Sequence, residues 1–141
     1  MSAGGTGGRV MDAVNEIGTV SDLLDSRDWG EVFGEGDGGN TDKSTMVIPP
    51  GAAVDPTPPM RSDVLSIVAA VNGENDGDAW VGVFLLFDGR YCIAEGGCDY
   101  TGWDCRAGNS LSVTSSLQNA IKYGLSPEQQ QRLRLTMEKQ S

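Results

Sequence analysis

The sequence predicts an α+β fold: a small antiparallel β-sheet packed by helices, with a helical N-terminal extension. Residues 80–87 form an almost continuous apolar run, and the Asp88-Gly89 turn signal separates it from a second apolar run at 91–94. Apolar residues at helical spacing occur on both sides of these runs. We therefore expect a central hairpin at about 80–95, a further strand near 111–114 and helices to one side of the sheet.

The predicted helices begin at recognisable capping residues. Thr19 followed by Asp22 matches a capping box, and the spacing of Val10, Val14 and Ile17 indicates helix just before it. Ahead of the hairpin, Ser62 or Asp63 is placed to cap a helix. The apolar positions that would share one face of that helix are Val64, Ile67, Val68 and Val71.

Two more helices are predicted after the last strand. Ser115 or Ser116 begins the first, and Gly124 is suited to its C-terminal cap. The second opens with Ser126-Pro127-Glu128-Gln129, which supplies a cap, a first-turn proline and a glutamine at the third helical position.

Composition divides the chain into four parts. Residues 1–8 are a glycine-rich tail expected to be disordered, and 9–33 are the helical N-terminal segment. Residues 34–59 are rich in glycine, acids and proline, which is typical of a linker, although 46–48 are suited to a brief edge strand. The α+β core domain is expected at 60–141.

The chain is strongly acidic. Its 141 residues include 20 acidic and 10 basic side chains and no histidine, for a net charge of -10, and residues 1–104 hold 18 of the acids. This composition disfavours direct nucleic-acid binding, which requires clustered lysine and arginine; it suits solubility first and a basic protein partner second. No segment is long and apolar enough to predict a membrane span. Three cysteines, an odd number, favour a reducing, cytoplasmic location.

Catalytic residues are not evident. Without histidine the chain lacks the commonest general base and every Ser-His or Cys-His arrangement. The sequence therefore favours a non-enzymatic protein that needs no cofactor, without deciding the question.

The candidate binding site is the segment 97–105 together with the acidic turn before the hairpin. Tyr100 and Trp103 are amphipathic rings, and carboxylates flank them. Two interpretations stay open: the rings fold the segment back over the sheet, or they form an aromatic recognition surface bordered by Asp99 and Asp104. The acidic residues assigned to this surface are Glu74, Asp76, Asp78, Asp99 and Asp104.

The cysteines offer a weaker alternative. Cys92, Cys98 and Cys105 are separated by five and six residues, whereas structural zinc ligands are usually paired at closer spacing and number four. Asp99 or Asp104 would have to complete such a site. A metal- or thiol-dependent protein centred on Cys98 and Cys105 is therefore the competing hypothesis.

The motif G-C-D-Y-T-G-W-D-C at 97–105 resembles a signature shared by small bacterial and bacteriophage proteins that have no established activity. The resemblance extends over about residues 60–135, including the closing element at 123–128. It implies a shared fold and a phage-linked context, and it brings no catalytic residues. Together these observations predict an acidic protein-interaction module, such as a phage-encoded inhibitor or nucleic-acid mimic, with a basic protein partner.

Overall fold

The computed structural model describes residues 9–10, 13–35, 45–48, 57–74, 77–98 and 106–136. These residues form an α+β fold, as the sequence predicts. In chain order the elements are β1 (Arg9–Val10), α1 (Val20–Asp25), α2 (Arg27–Val32), β2 (Thr45–Val47), a 3₁₀ turn (Arg61–Asp63), β3 (Val64–Val71), β4 (Trp80–Leu86), β5 (Tyr91–Cys98), β6 (Arg106–Thr114), α3 (Leu117–Gly124), α4 (Pro127–Leu133) and β7 (Leu135–Thr136).

The main sheet has five strands in the order β2-β6-β5-β4-β3. The predicted hairpin is confirmed as β4 and β5, and the predicted strand near 111–114 is the second half of β6. The sheet is mixed rather than wholly antiparallel, because β2 adds to β6 in parallel. This is the edge strand predicted around Met46, and it attaches part of the proposed linker to the sheet.

The helix predicted over residues 64–71 is wrong, because these residues form the edge strand β3. Its register against β4 shifts twice, between Val64 and Ser66 and between Ile67 and Ala69. The extra residues place Val64, Ile67 and Ala70 in one apolar cluster at intervals of three. Val68 and Val71, which the predicted helix would place on the same face as Val64 and Ile67, belong to the opposite cluster, so the helical spacing of these residues is coincidental.

Helices cover both faces of the sheet, whereas the sequence predicts them on one side. Buried side chains from α1 and α2 share a cluster with one face of the central strands, and those from α3 and α4 share a second cluster with the other face. Successive residues of β4 alternate between the two clusters, as at Val83 and Phe84. A strand buried on both faces explains the nearly continuous apolar run at 80–87.

The N-terminal segment is part of the core instead of a helical extension. Trp29 and Phe33 are fully buried, and their rings lie 5.7 and 5.4 Å from the ring of Phe84. Residues 13–19 are not helical. They run beside β3, where Val14 O accepts a hydrogen bond from Ala70 N, so the helical spacing noted there is misleading.

The predicted N-terminal caps of three helices are confirmed, whereas the cap predicted at Ser62 or Asp63 is wrong because a strand follows it, and the C-terminal cap of α3 is Leu125 instead of Gly124. Thr19 and Asp22 exchange hydrogen bonds at the start of α1, and Ser126 and Gln129 do so at the start of α4. Ser116 caps α3, and Gly124 is its last helical residue.

A network centred on Arg61 ties the first two helices to the start of β3. Its Nη1 donates to the carbonyl oxygens of Leu23, Leu24 and Ser26 at 2.9 to 3.0 Å. Its Nε and backbone N donate to the two carboxylate oxygens of Glu35 at 3.0 and 2.8 Å. One guanidinium therefore donates to three carbonyl groups around the C-terminal end of α1, two of which, Leu23 O and Ser26 O, also accept backbone hydrogen bonds.

Within the described ranges, no helix combines the length and the apolar character that crossing a bilayer requires.

Candidate functional site

The two segments that the sequence selects leave the sheet at the same end. Residues 72–79 connect β3 to β4, and residues 99–105 connect β5 to β6. The strand register places them together. Trp80 at the start of β4 pairs with Gly96 on β5, and Cys98, two residues after Gly96, pairs with Arg106 at the start of β6. We call this the loop end of the sheet. It brings the acidic turn beside the stem that carries the aromatic segment.

Two of the predicted binding residues are seen directly. Glu74 and Asp78 belong to the acidic turn, and both side chains are exposed. The remaining predicted residues lie outside the described part of the chain; they are Asp76, Asp99, Tyr100, Trp103 and Asp104. The aromatic recognition surface therefore stays a prediction, whereas the position of the acidic turn is established.

Asn72, at the start of the turn, joins three parts of the fold. Its side-chain Oδ1 accepts a hydrogen bond of 2.9 Å from the indole Nε1 of Trp29 on α2. Its backbone N donates to Glu16 Oε1 at 2.7 Å, and its carbonyl oxygen accepts from Arg132 Nη2 at 3.3 Å. The helical layers on both faces of the sheet thus fix the same residue.

Arg132 also reaches the end of the turn, where its Nη1 donates to the carbonyl oxygen of Ala79 at 2.8 Å. Inside the turn, Glu74 N donates to Asp78 O at 2.9 Å, and Gly77 N donates to Glu74 O at 3.2 Å. These bonds fix the backbone of the described turn residues at both ends of the turn, while the side chains of Glu74 and Asp78 extend into solvent. The Arg132 guanidinium bonds to backbone carbonyls of the turn, and the charged side chains that the described part of the turn exposes are those of Glu74 and Asp78.

Sequence analysis missed the residues that hold this turn. Glu16, Trp29 and Arg132 lie 43 to 60 residues from Asn72 in the chain, so no local pattern connects them to it. Arg132 is the basic residue of α4, and the sequence gives no other signal for its role. That signal does not identify the carbonyl groups to which Arg132 donates.

Gly73 should be intolerant of any side chain. A Cβ added there would lie 2.5 Å from Asp78 O and 2.6 Å from Trp80 N, both backbone atoms. We expect Gly73→Ala to lower the free energy of unfolding by about 2 kcal/mol, because the turn must open to relieve the overlap. Urea denaturation measures the change.

Gly77→Ala is the matched control in the same turn. Its added Cβ would meet a flexible carboxylate oxygen of Glu74 at 3.1 Å and Glu74 Cβ at 3.2 Å, both side-chain atoms that need to shift by only a few tenths of an ångström. We expect a loss below about 1 kcal/mol. Equal losses for the two variants would show that the tight fit at Gly73 does not matter.

The structure leaves the cysteine hypothesis largely untested. Cys92 is fully buried within the sheet, while the Cys98 side chain and Cys105 lie outside the described residues. Among the side chains that are described, no three cysteine or carboxylate groups come together as metal ligands.

Comparisons with protein-family models, curated proteins and solved structures yield no match to this chain. Function is therefore inferred from the residues at the loop end.

Proposed function

We propose that the protein is a non-enzymatic, acidic interaction module that binds a basic protein partner through its loop end. The observation that supports this most strongly is the acidic turn, which both helical layers hold in place beside the stem of the 99–105 segment. The described turn residues that are already hydrogen-bonded lose little backbone conformational entropy when a partner binds.

Charge and aromatic side chains have separate roles in this proposal. The net charge of -10 and the exposed Glu74 and Asp78 attract and orient a basic surface, mainly by raising the association rate. Tyr100 and Trp103 supply the anchor that the partner buries, because aromatic side chains commonly dominate binding energy at the centre of interfaces. Asp76, Asp99 and Asp104 complete the acidic border.

The partner would be a protein that itself binds nucleic acid. The carboxylates would occupy the positions that nucleic-acid phosphates take in the basic groove of such a protein. The module would therefore act as an inhibitor or nucleic-acid mimic. The resemblance of residues 97–105 to a motif in bacteriophage proteins suits an inhibitor made by a phage in its host's cytoplasm.

A pair of charge-matched variants tests the position of the site. Glu74→Gln/Asp78→Asn removes two carboxylates at the loop end, and Asp28→Asn/Glu128→Gln removes two exposed carboxylates on helices at opposite faces. Both change the net charge equally. For a basic protein captured from a bacterial host and then purified, we expect the first variant to weaken binding about fivefold to tenfold at low salt. The control should change it less than about twofold.

Trp103→Ala tests the aromatic anchor and should weaken the same complex more than tenfold, about the loss expected for a central interface tryptophan. Equal retention of the partner by the loop-end and control variants would contradict the proposal. So would binding that survives Trp103→Ala at high salt.

Elemental analysis of the purified protein provides a separate check, since one tightly bound zinc per chain would instead support a metal-dependent activity at Cys98 and Cys105.

A further inference from the structure

Three exposed apolar residues lie on backbone segments that meet at the end of the sheet opposite the loop end. Phe87 lies in the turn between β4 and β5 and is 68% exposed, while Met60 and Leu65 are 50% and 48% exposed. A phenylalanine so exposed at the tip of a hairpin has little value for the stability of the core. Apolar groups left in contact with water at one place are typical of binding surfaces.

Asp63 brings these three residues together. Its backbone N and carboxylate Oδ2 bond to the backbone of Met60, and its carbonyl oxygen accepts a hydrogen bond of 2.9 Å from Phe87 N. Leu65 follows two positions later on β3. We call Met60, Leu65 and Phe87 the apolar end.

The charges around the apolar end are arranged with carboxylates outward and cations inward. The side chain of Asp88 is 54% exposed, while that of its partner Arg90, 2.8 Å away, is only 14% exposed. Arg61 is turned inward in the same way, toward Glu35. Asp63 adds another exposed acidic side chain. The apolar end therefore presents negative charge to a partner although arginines lie beneath it.

We propose that the apolar end is a second docking surface, and that it takes a basic amphipathic helix from a partner protein. Such a helix offers an apolar face to Met60, Leu65 and Phe87 and places lysine or arginine beside Asp63 and Asp88. The surface is separate from the loop end and does not depend on the function proposed for that end.

A second copy of the chain is a less suitable occupant. Two copies that met at this end would bring together the carboxylates of Asp63 and Asp88 from each, in molecules that already repel at a net charge of -10. Pairing through the neighbouring edge of β3 is also hindered, because its two register shifts disrupt the regular ladder that another strand would extend. Charge complementarity favours the basic helix.

The test measures binding of a fluorescent 18-residue helical peptide to the full-length protein by fluorescence polarisation. The peptide carries leucine on one face of the helix and lysine on the opposite face. Two further peptides serve as probes: one has serine in place of leucine, and the other has glutamate in place of lysine. All proteins carry Glu74→Gln/Asp78→Asn, so that the acidic turn contributes little. We expect the leucine–lysine peptide to bind at least tenfold more tightly than either of the others.

Leu65→Thr/Phe87→Ser should weaken binding of the leucine–lysine peptide about tenfold or more. The matched control is Met46→Thr/Tyr123→Ser, which removes two exposed apolar residues from β2 and α3, and it should change binding less than about twofold. Circular dichroism confirms that both variants are folded.

Equal weakening by the two variants would overturn the proposal, as would equal binding of the serine–lysine peptide. Light scattering tests whether a second copy of the chain occupies the apolar end. A concentration-dependent dimer that Phe87→Ser abolishes would identify that occupant and would also overturn the proposal. Neither result bears on the loop end, because Glu74 and Asp78 are neutralised in every protein and the comparison depends only on the apolar-end and control substitutions.

Discussion

Replacing Arg61 with alanine is expected to lower the free energy of unfolding by about 3 kcal/mol, a typical cost of removing one partner from a buried ion pair. The side chains of Arg61 and Glu35 are only 17% and 16% exposed. Without the guanidinium, the Glu35 carboxylate loses its ion-pair partner and three carbonyl groups around the end of α1 lose a donor. Urea denaturation followed by circular dichroism measures the loss.

Arg27→Ala is the matched control for this prediction. Its side chain is 90% exposed and lies 3.6 Å from Glu31, so its loss should cost less than about 0.5 kcal/mol. Arg61→Lys should recover only part of the stability, because an ammonium group does not reproduce the planar fork that bonds to several acceptors at once. If Arg61→Ala were as mild as Arg27→Ala, the network would be an incidental feature of the fold.

Replacing Trp29 with alanine should cost about 4 kcal/mol, within the range for truncation of a buried tryptophan. Its ring is 1% exposed and packs edge-to-face on Phe84 at a centroid distance of 5.7 Å. The substitution leaves a cavity between α2 and the sheet and also removes the hydrogen bond to Asn72. Thermal and urea denaturation should both show the loss.

Trp29→Phe separates packing from the hydrogen bond. The smaller ring retains most of the contact with Phe84, while the indole donor to Asn72 is lost, so we expect a cost of about 1 to 2 kcal/mol. Hydrogen exchange at the backbone amides of Glu74 and Gly77 should become faster, because the turn is less firmly held. Unchanged exchange in Trp29→Phe would show that Glu16 and Arg132 are sufficient to hold Asn72.

The features that sequence predicts well depend on neighbours within a few residues. The Asp88-Gly89 turn and the caps at Thr19, Ser116 and Ser126 each act over about two or three positions, so the residues that define them are close in the printed sequence. The alternation of the hairpin and the exposed acids of the turn belong to the same category. The sequence therefore predicts Glu74 and Asp78 as candidate binding residues without any knowledge of their tertiary contacts.

The sequence by itself determined the central hairpin, the helix caps, the acidic charge and the candidate acids Glu74 and Asp78. Only the tertiary structure decided that residues 64–71 form a strand, since its apolar residues pack on both faces of the sheet while their spacing in the sequence also suits a helix. Tertiary contacts also determined that the helices cover both faces and that distant side chains hold the acidic turn through Asn72. The physical reason is that these contacts join residues far apart in the chain. Local sequence patterns do not specify which distant residue a side chain contacts.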